Sequence, residues 1–155
     1  EKNLQLYHQL AGRAGRTGKA SNIYFQTLIM NKEKLNDLTS SDPYNYLEKE
    51  LNLRKLNNLP PFQRFISIIL SSEDEKTLDE ESLKLQKVLK RNLKAEILGP
   101  VNAPIYKIKK KYRNRLLIRA SKSYKIQKFL AKTLNDFKFS KKIKLSVDVD
   151  PISFN

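Results

Sequence analysis

The sequence predicts an α+β fold whose C-terminal part runs β-α-β-β-α-β, the split βαβ order of ferredoxin-like domains, with four antiparallel strands and two helices on one face. Three observations carry this prediction. Apolar periodicity switches between two and 3.6 in that order from Arg64 to Val149. Leu59-Pro60-Pro61-Phe62 interrupts the chain just before the first of these segments, and neither proline can continue a helix. The length, 155 residues, suits one domain of about 100 to 150 residues with an appended piece of another.

Near the N-terminus Gly12, Gly15 and Gly18 punctuate a short basic stretch that reads as a loop, and Ser21–Met30, rich in β-branched and aromatic residues, reads as a strand. Asp42-Pro43 supplies an N-cap and a first-turn proline, and Tyr44, Leu47 and Leu51 follow at helical spacing. That helix should end before Leu59, which places a domain boundary between residues 58 and 59. Arg64–Ser71 is then a strand. Ser72 with Glu75 forms a capping box opening a helix with Leu78, Leu85, Val88, Leu89 and Leu93 on its apolar face. Ala95–Leu98 and Pro104–Ile108 are extended, Lys109-Lys110-Lys111 turns the chain, and Tyr112–Ala120 returns as the hairpin partner. Ser121 or Ser123 caps a second helix whose apolar positions are Ile126, Phe129, Leu130, Leu134 and Phe137. Ile143–Val149 alternates apolar and polar residues, a half-buried strand.

Composition closes several function classes. With no Cys there is no disulfide framework, thiolate nucleophile or Cys-based zinc site, and His8 alone cannot build a multi-histidine centre. Asp148 and Asp150 share one strand face, but two carboxylates are too few to hold a cation, and no metal site is expected. No run approaches the roughly 18 apolar residues of a membrane span, and no signal-peptide core follows Glu1. The missing initiator Met predicts a fragment.

The formal net charge is +15, from 31 Lys plus Arg against 16 Asp plus Glu. Lysine bias from an AT-rich coding sequence would spread that charge evenly. Instead, residues 107–144 hold 15 basic side chains against Asp136 alone. Such a field draws phosphate or acidic peptide and weakens as salt rises. Within it, Lys107, Lys109, Lys110 and Lys111, with Arg113 and Arg115, form a basic hairpin; Tyr106 and Tyr112 beside them offer stacking surfaces or sheet packing. Lys122, Lys125, Lys128 and Lys132 form a second set at helical spacing, either a docking face or a solvated one.

Gln9-Leu10-Ala11-Gly12-Arg13-Ala14-Gly15-Arg16 matches Q-x-x-G-R-x-G-R, the last motif of superfamily-two helicases. Glycines allow close backbone approach, and guanidinium groups are rigid, permanently charged donors for a departing γ-phosphate. Together with FQT, PPF-x-R, LGP-x-x-A-P and the closing VDVDP, the chain resembles the C-terminal part of the primosomal protein N′ (PriA) family. The resemblance implies the end of an ATP-dependent 3′-to-5′ DNA helicase that recognises stalled or abandoned replication forks and starts primosome assembly.

By that resemblance residues 1–58 are the C-terminal remnant of the second RecA-like helicase lobe with a connecting helix. Residues 59–155 are then a ribosomal-protein-like domain binding DNA and partners. Arg16 and Arg13 are the implied catalytic, ATP-contacting arginines, Arg16 being the better finger, and Gln9 and Gly12 complete the nucleotide contacts. ATP and Mg serve the full-length parent, and zinc sits in its Cys-rich insert. This sequence contains neither that insert nor a phosphate-binding loop, so hydrolysis by the 155-residue chain is not expected. The implied partners are forked and single-stranded DNA, single-strand-binding protein, and other primosome and helicase-loading proteins, in the bacterial cytoplasm at the nucleoid. The alternative is an interaction or scaffold module that docks the acidic tail of single-strand-binding protein and touches DNA little.

Overall fold

A computed structural model describes residues 43–151 continuously, together with positions 6, 9, 10, 12, 13, 22, 24, 26 and 28. The chain divides into two compact units, Glu1–Leu53 and Arg54–Asn155.

In the first unit, positions 6, 9, 10, 12 and 13 carry helical backbone, where a glycine-punctuated loop is expected. Leu, Gln, Ala and Arg are strong helix formers, and around Gly12 they outweigh the glycine. Gly15, Arg16 and Gly18 lie outside the described residues. Within the expected strand Ser21–Met30, positions 22, 24 and 26 have no regular structure and 28 is a bend. Positions 21, 23, 25, 27, 29 and 30 of this segment lie outside the described residues. Helix α1 spans Pro43–Leu56; its predicted cap, Asp42, lies outside the described residues.

The second unit opens on the end of α1. The Leu59 N–H donates to Arg54 O (2.8 Å) and the Asn58 N–H to Lys55 O (3.2 Å), with Asn58 at φ 52. This is the Schellman pattern, and Pro60 immediately beyond stops the helix. Strand β1 (Gln63–Ser72), helix α2 (Glu75–Asn92), strands β2 (Glu96–Ile108) and β3 (Lys111–Ser121), helix α3 (Ile126–Asp136) and strand β4 (Lys144–Val149) follow. The sheet order is β2-β3-β1-β4, antiparallel throughout, as the split βαβ arrangement requires. Ile66, Ile68 and Leu70 of β1, Leu116 and Ile118 of β3, Leu78, Leu85 and Leu89 of α2, and Ile126 and Leu130 of α3 form the core.

Both helix starts differ from expectation. At α2 the cap is Asp74, whose carboxylate accepts from the Thr77 N–H (3.3 Å) and hydroxyl (2.8 Å). Ser72 remains in the β1 ladder, fully buried, and accepts from the Asp74 N–H. Ser121 and Ser123 bond to each other (2.8 Å) rather than to α3, which starts after Lys125 with no side-chain cap. Lys122 therefore precedes the helix. Phe129, expected in the core, is 47% exposed, whereas Leu130 is 3% exposed.

Candidate nucleic-acid interface

Side chains on β3 alternate across the sheet. Asn114, Leu116, Ile118 and Ala120 are buried on the side covered by α2 and α3, while Arg113, Arg115, Leu117 and Arg119 occupy the opposite face, free of those two helices, on which Phe65 and Ser67 of β1 are buried. The ladders extend that face: Arg113 lies opposite Ser71, itself opposite Lys144, and Arg115 opposite Ile69, itself opposite Ser146. At the hairpin end these residues make an open concavity of about 450 Å³, lined by Lys109, Lys111, Arg113 and Lys144, with Ile69, Ile108, Ser71 and Ser146. Among the described residues, four cations and no carboxylate line it. Arg113 is aimed by a bond from its guanidinium to Ile105 O (3.2 Å).

Toward the other end of the sheet the charge reverses character. Arg119 is held by Glu96 (Nε to Oε2 2.7 Å) and Asp148 pairs in register with Ser67, whereas Arg64 lies on the helix side, bonded to Gln127 of α3 (3.0 Å) and paired with Asp150 (3.2 Å). The helix-free face thus has a cationic end at the hairpin and a charge-compensated end at Ser121. A second hollow, lined by Ser72, Glu73, Asp74, Lys111, Lys141 and Lys142, is compensated by Lys142–Asp74 (3.6 Å) and Lys111–Glu73 (4.0 Å) pairs. The Thr77 hydroxyl and N–H, with Lys142 nearby, hold the Asp74 carboxyl below its ordinary 3.8.

The hairpin set does not share one surface. Lys107 pairs with Tyr112 on the helix side, its Nζ donating to the Tyr112 hydroxyl (3.0 Å). Tyr112 packs against the core and against Tyr106 (5.5 Å between centroids), and the Tyr106 hydroxyl donates to Glu75 of α2. That bond pushes the Tyr106 phenol up to about 12. Both tyrosines are committed to packing. Lys110 is exposed at the turn.

The helical set lies elsewhere. Lys128 and Lys132 are exposed on α3, with Lys125 at its start and Lys122 in the preceding turn. Phe129 stacks on Tyr124 beside them (5.3 Å, 18°). The turn carrying Lys122 begins at the far end of β3 from Lys111, about 30 Å along the strand. Lys144 joins the hairpin cations only through register. In sequence it is an outward residue of an alternating strand, and the signal that finds it is the pairing of β4 with β1.

Gln9, Gly12 and Arg13 sit on exposed helical backbone, and Arg16 lies outside the described residues. Among the described residues no group of three or more His, Cys, Asp or Glu side chains could hold a metal ion, and no helix is long and apolar enough to cross a membrane.

A family model described as "Primosomal protein N C-terminal domain" matches residues 55–152. The chain belongs to this family. It is similar to proteins named "Replication restart protein PriA": 34% identical over 155 residues to that of Rickettsia conorii and 36% to that of Rickettsia prowazekii, in each case over 99% of this chain and 24% of the relative. The Bacillus subtilis protein of the same name is 28% identical over 97% of this chain and 19% of its own length. The chain therefore spans about a quarter or less of these curated relatives. The family's matched segment starts within α1 and contains the whole sheet with both covering helices, so the cationic concavity lies inside the family domain.

Proposed function

We propose that the helix-free face of the Arg54–Asn155 unit holds single-stranded or forked DNA for a parent protein acting in replication restart. The observation that carries this is the concavity lined by Lys109, Lys111, Arg113 and Lys144, in which the nearest acidic partner is Glu73, 4.0 Å from Lys111. Its apolar floor, Ile69 and Ile108, suits the sugar and base of an unpaired strand, while the cations suit its phosphates. In the full-length protein, Gln9, Gly12, Arg13 and Arg16 contact ATP, which is bound with Mg, and zinc belongs to a segment outside this sequence. Arg16→Ala there is expected to abolish ATP hydrolysis while sparing most DNA binding; retained turnover removes Arg16 from the catalytic role.

A second surface serves a second partner. The exposed Phe129–Tyr124 stack, flanked by Lys125, Lys128 and Lys132, suits an acidic peptide ending in an aromatic residue, as in the tail of single-strand-binding protein. Because the two surfaces lie on different sides of the sheet, peptide and oligonucleotide should bind additively. Fluorescence anisotropy with labelled oligothymidylate tests the first assignment: binding should fall steeply with salt and collapse on Arg113→Glu with Lys144→Glu. Calorimetric titration of the peptide into the DNA-bound chain tests the second. Unchanged DNA affinity in the double variant, or full competition by the peptide, would overturn the division of labour.

A further inference from the structure

The β2–β3 connection is unusually built for its residues. Ile108 pairs with Lys111, leaving Lys109 and Lys110 as a two-residue loop, and both have left-handed backbone, φ 48 and φ 65. Two successive positive φ values are what a type I′ turn requires, and Asn-Gly is the pair that adopts it most readily. A lysine carries a Cβ into that region at a cost, so its presence at both positions calls for a compensating role. Edge protection does not supply one. The sheet edges are β2 and β4, and the turn lies at neither ladder's open side.

The surrounding structure holds the loop so that it cannot relax by slipping. Glu75, Asp79, Ser82 and Gln86 form one stripe of α2, and all four meet the hairpin. Glu75 accepts from Tyr106, Asp79 from Asn114 (2.7 Å), Ser82 also from Asn114 (3.4 Å), and Gln86 donates to Gly99 O. A one-residue slip of β2 would break the Tyr106 and Gly99 bonds, and a slip of β3 the two Asn114 bonds, and either would turn the slipped strand's faces over. The strain is therefore imposed from α2, and Lys109 is delivered into the concavity beside Lys111, Arg113 and Lys144.

We propose that Lys109-Lys110 is a strained phosphate clamp, in which stability is given up to hold Lys109 in the concavity, with Lys110 exposed beside it at the turn, against successive phosphates of a nucleic-acid strand. This rests on the nucleic-acid reading of the helix-free face. The test uses the full 155-residue chain in three forms, with oligothymidylate binding measured across a salt series and thermal unfolding measured alongside. In Lys109→Asn with Lys110→Gly, the melting temperature should rise by several degrees, while affinity falls and the slope of log K against log salt shrinks by about two, one for each lysine lost. Lys109→Gln with Lys110→Gln should show the same binding loss without the gain in melting temperature. Arg113→Ala with Lys144→Ala serves as the control for the face itself. If the control weakens binding and the turn variants leave the slope unchanged, the clamp is wrong and the DNA reading survives; if none of the three weakens binding, both fail. A melting temperature that does not rise in the Asn-Gly form overturns the strain. Displacement of the oligonucleotide from the turn by an acidic peptide overturns the phosphate assignment.

Discussion

Gly99 is the residue on which the hairpin geometry depends most directly. Its φ is +90, and an added Cβ would lie 2.6 Å from Arg115 O and 3.2 Å from Val101 N. Arg115 O cannot yield without parting β3 from β2, and Val101 N belongs to the backbone of β2 itself. Gly99→Ala should therefore destabilise the domain by about 1 to 3 kcal/mol, read from chemical denaturation, and unchanged stability would refute the close approach. Two titrating residues give opposite pH limbs. Asp74 has its carboxyl depressed below 3.8 in the fold, so its cap stabilises above that pH and is lost as pH falls through the folded value. Tyr106 is raised to about 12 from 10.0, so its bond to Glu75 stabilises below pH 10 and is lost as pH rises toward 12. Asp74→Ala should flatten the acid limb of a stability profile and Tyr106→Phe the alkaline limb; parallel profiles would remove these links. The role of Asp74 was legible only in part, because Ser72 and Asp74 both precede the helix and both can cap. Register decided between them, since Ser72 is still paired with Tyr112.

At the scale of elements, periodicity carried most of the fold. All six elements of the split βαβ unit appear in order; β3 alternates in burial, whereas β1 buries four consecutive residues, Phe65 to Ile68. The helix ends were less legible, because serine is an equally good cap and turn former. The apolar stripe of α3 misassigned Phe129 because the buried face follows Ile126, Leu130 and Thr133, leaving Phe129 at the edge of the stripe, stacked on Tyr124. Leu130→Ala should cost about 2 to 5 kcal/mol by opening a cavity in the core. Phe129→Ala should cost less than about 1.5 kcal/mol, the scale of an exposed aromatic pair. Equal losses in thermal melts would show that both residues are core.

For the whole molecule, the clustered charge was visible in sequence, but its division was not. A stretch with 15 basic residues folds into two surfaces because β3 runs away from the hairpin before the chain enters α3. Topology places the two lysine sets at opposite ends and on opposite sides of the sheet. Lys144 joins the hairpin set from more than thirty positions away, a contact that no local pattern announces. The central claim, that the cationic end of the helix-free face holds single-stranded DNA, is tested most directly by mapping backbone amide shifts in the chain during titration with short oligothymidylate. The account predicts perturbations confined to Ser71, Lys109, Lys111, Arg113, Lys144 and their neighbours, fading as salt rises. Perturbations centred on Ile126–Asp136, with the hairpin and β4 unmoved, would contradict it.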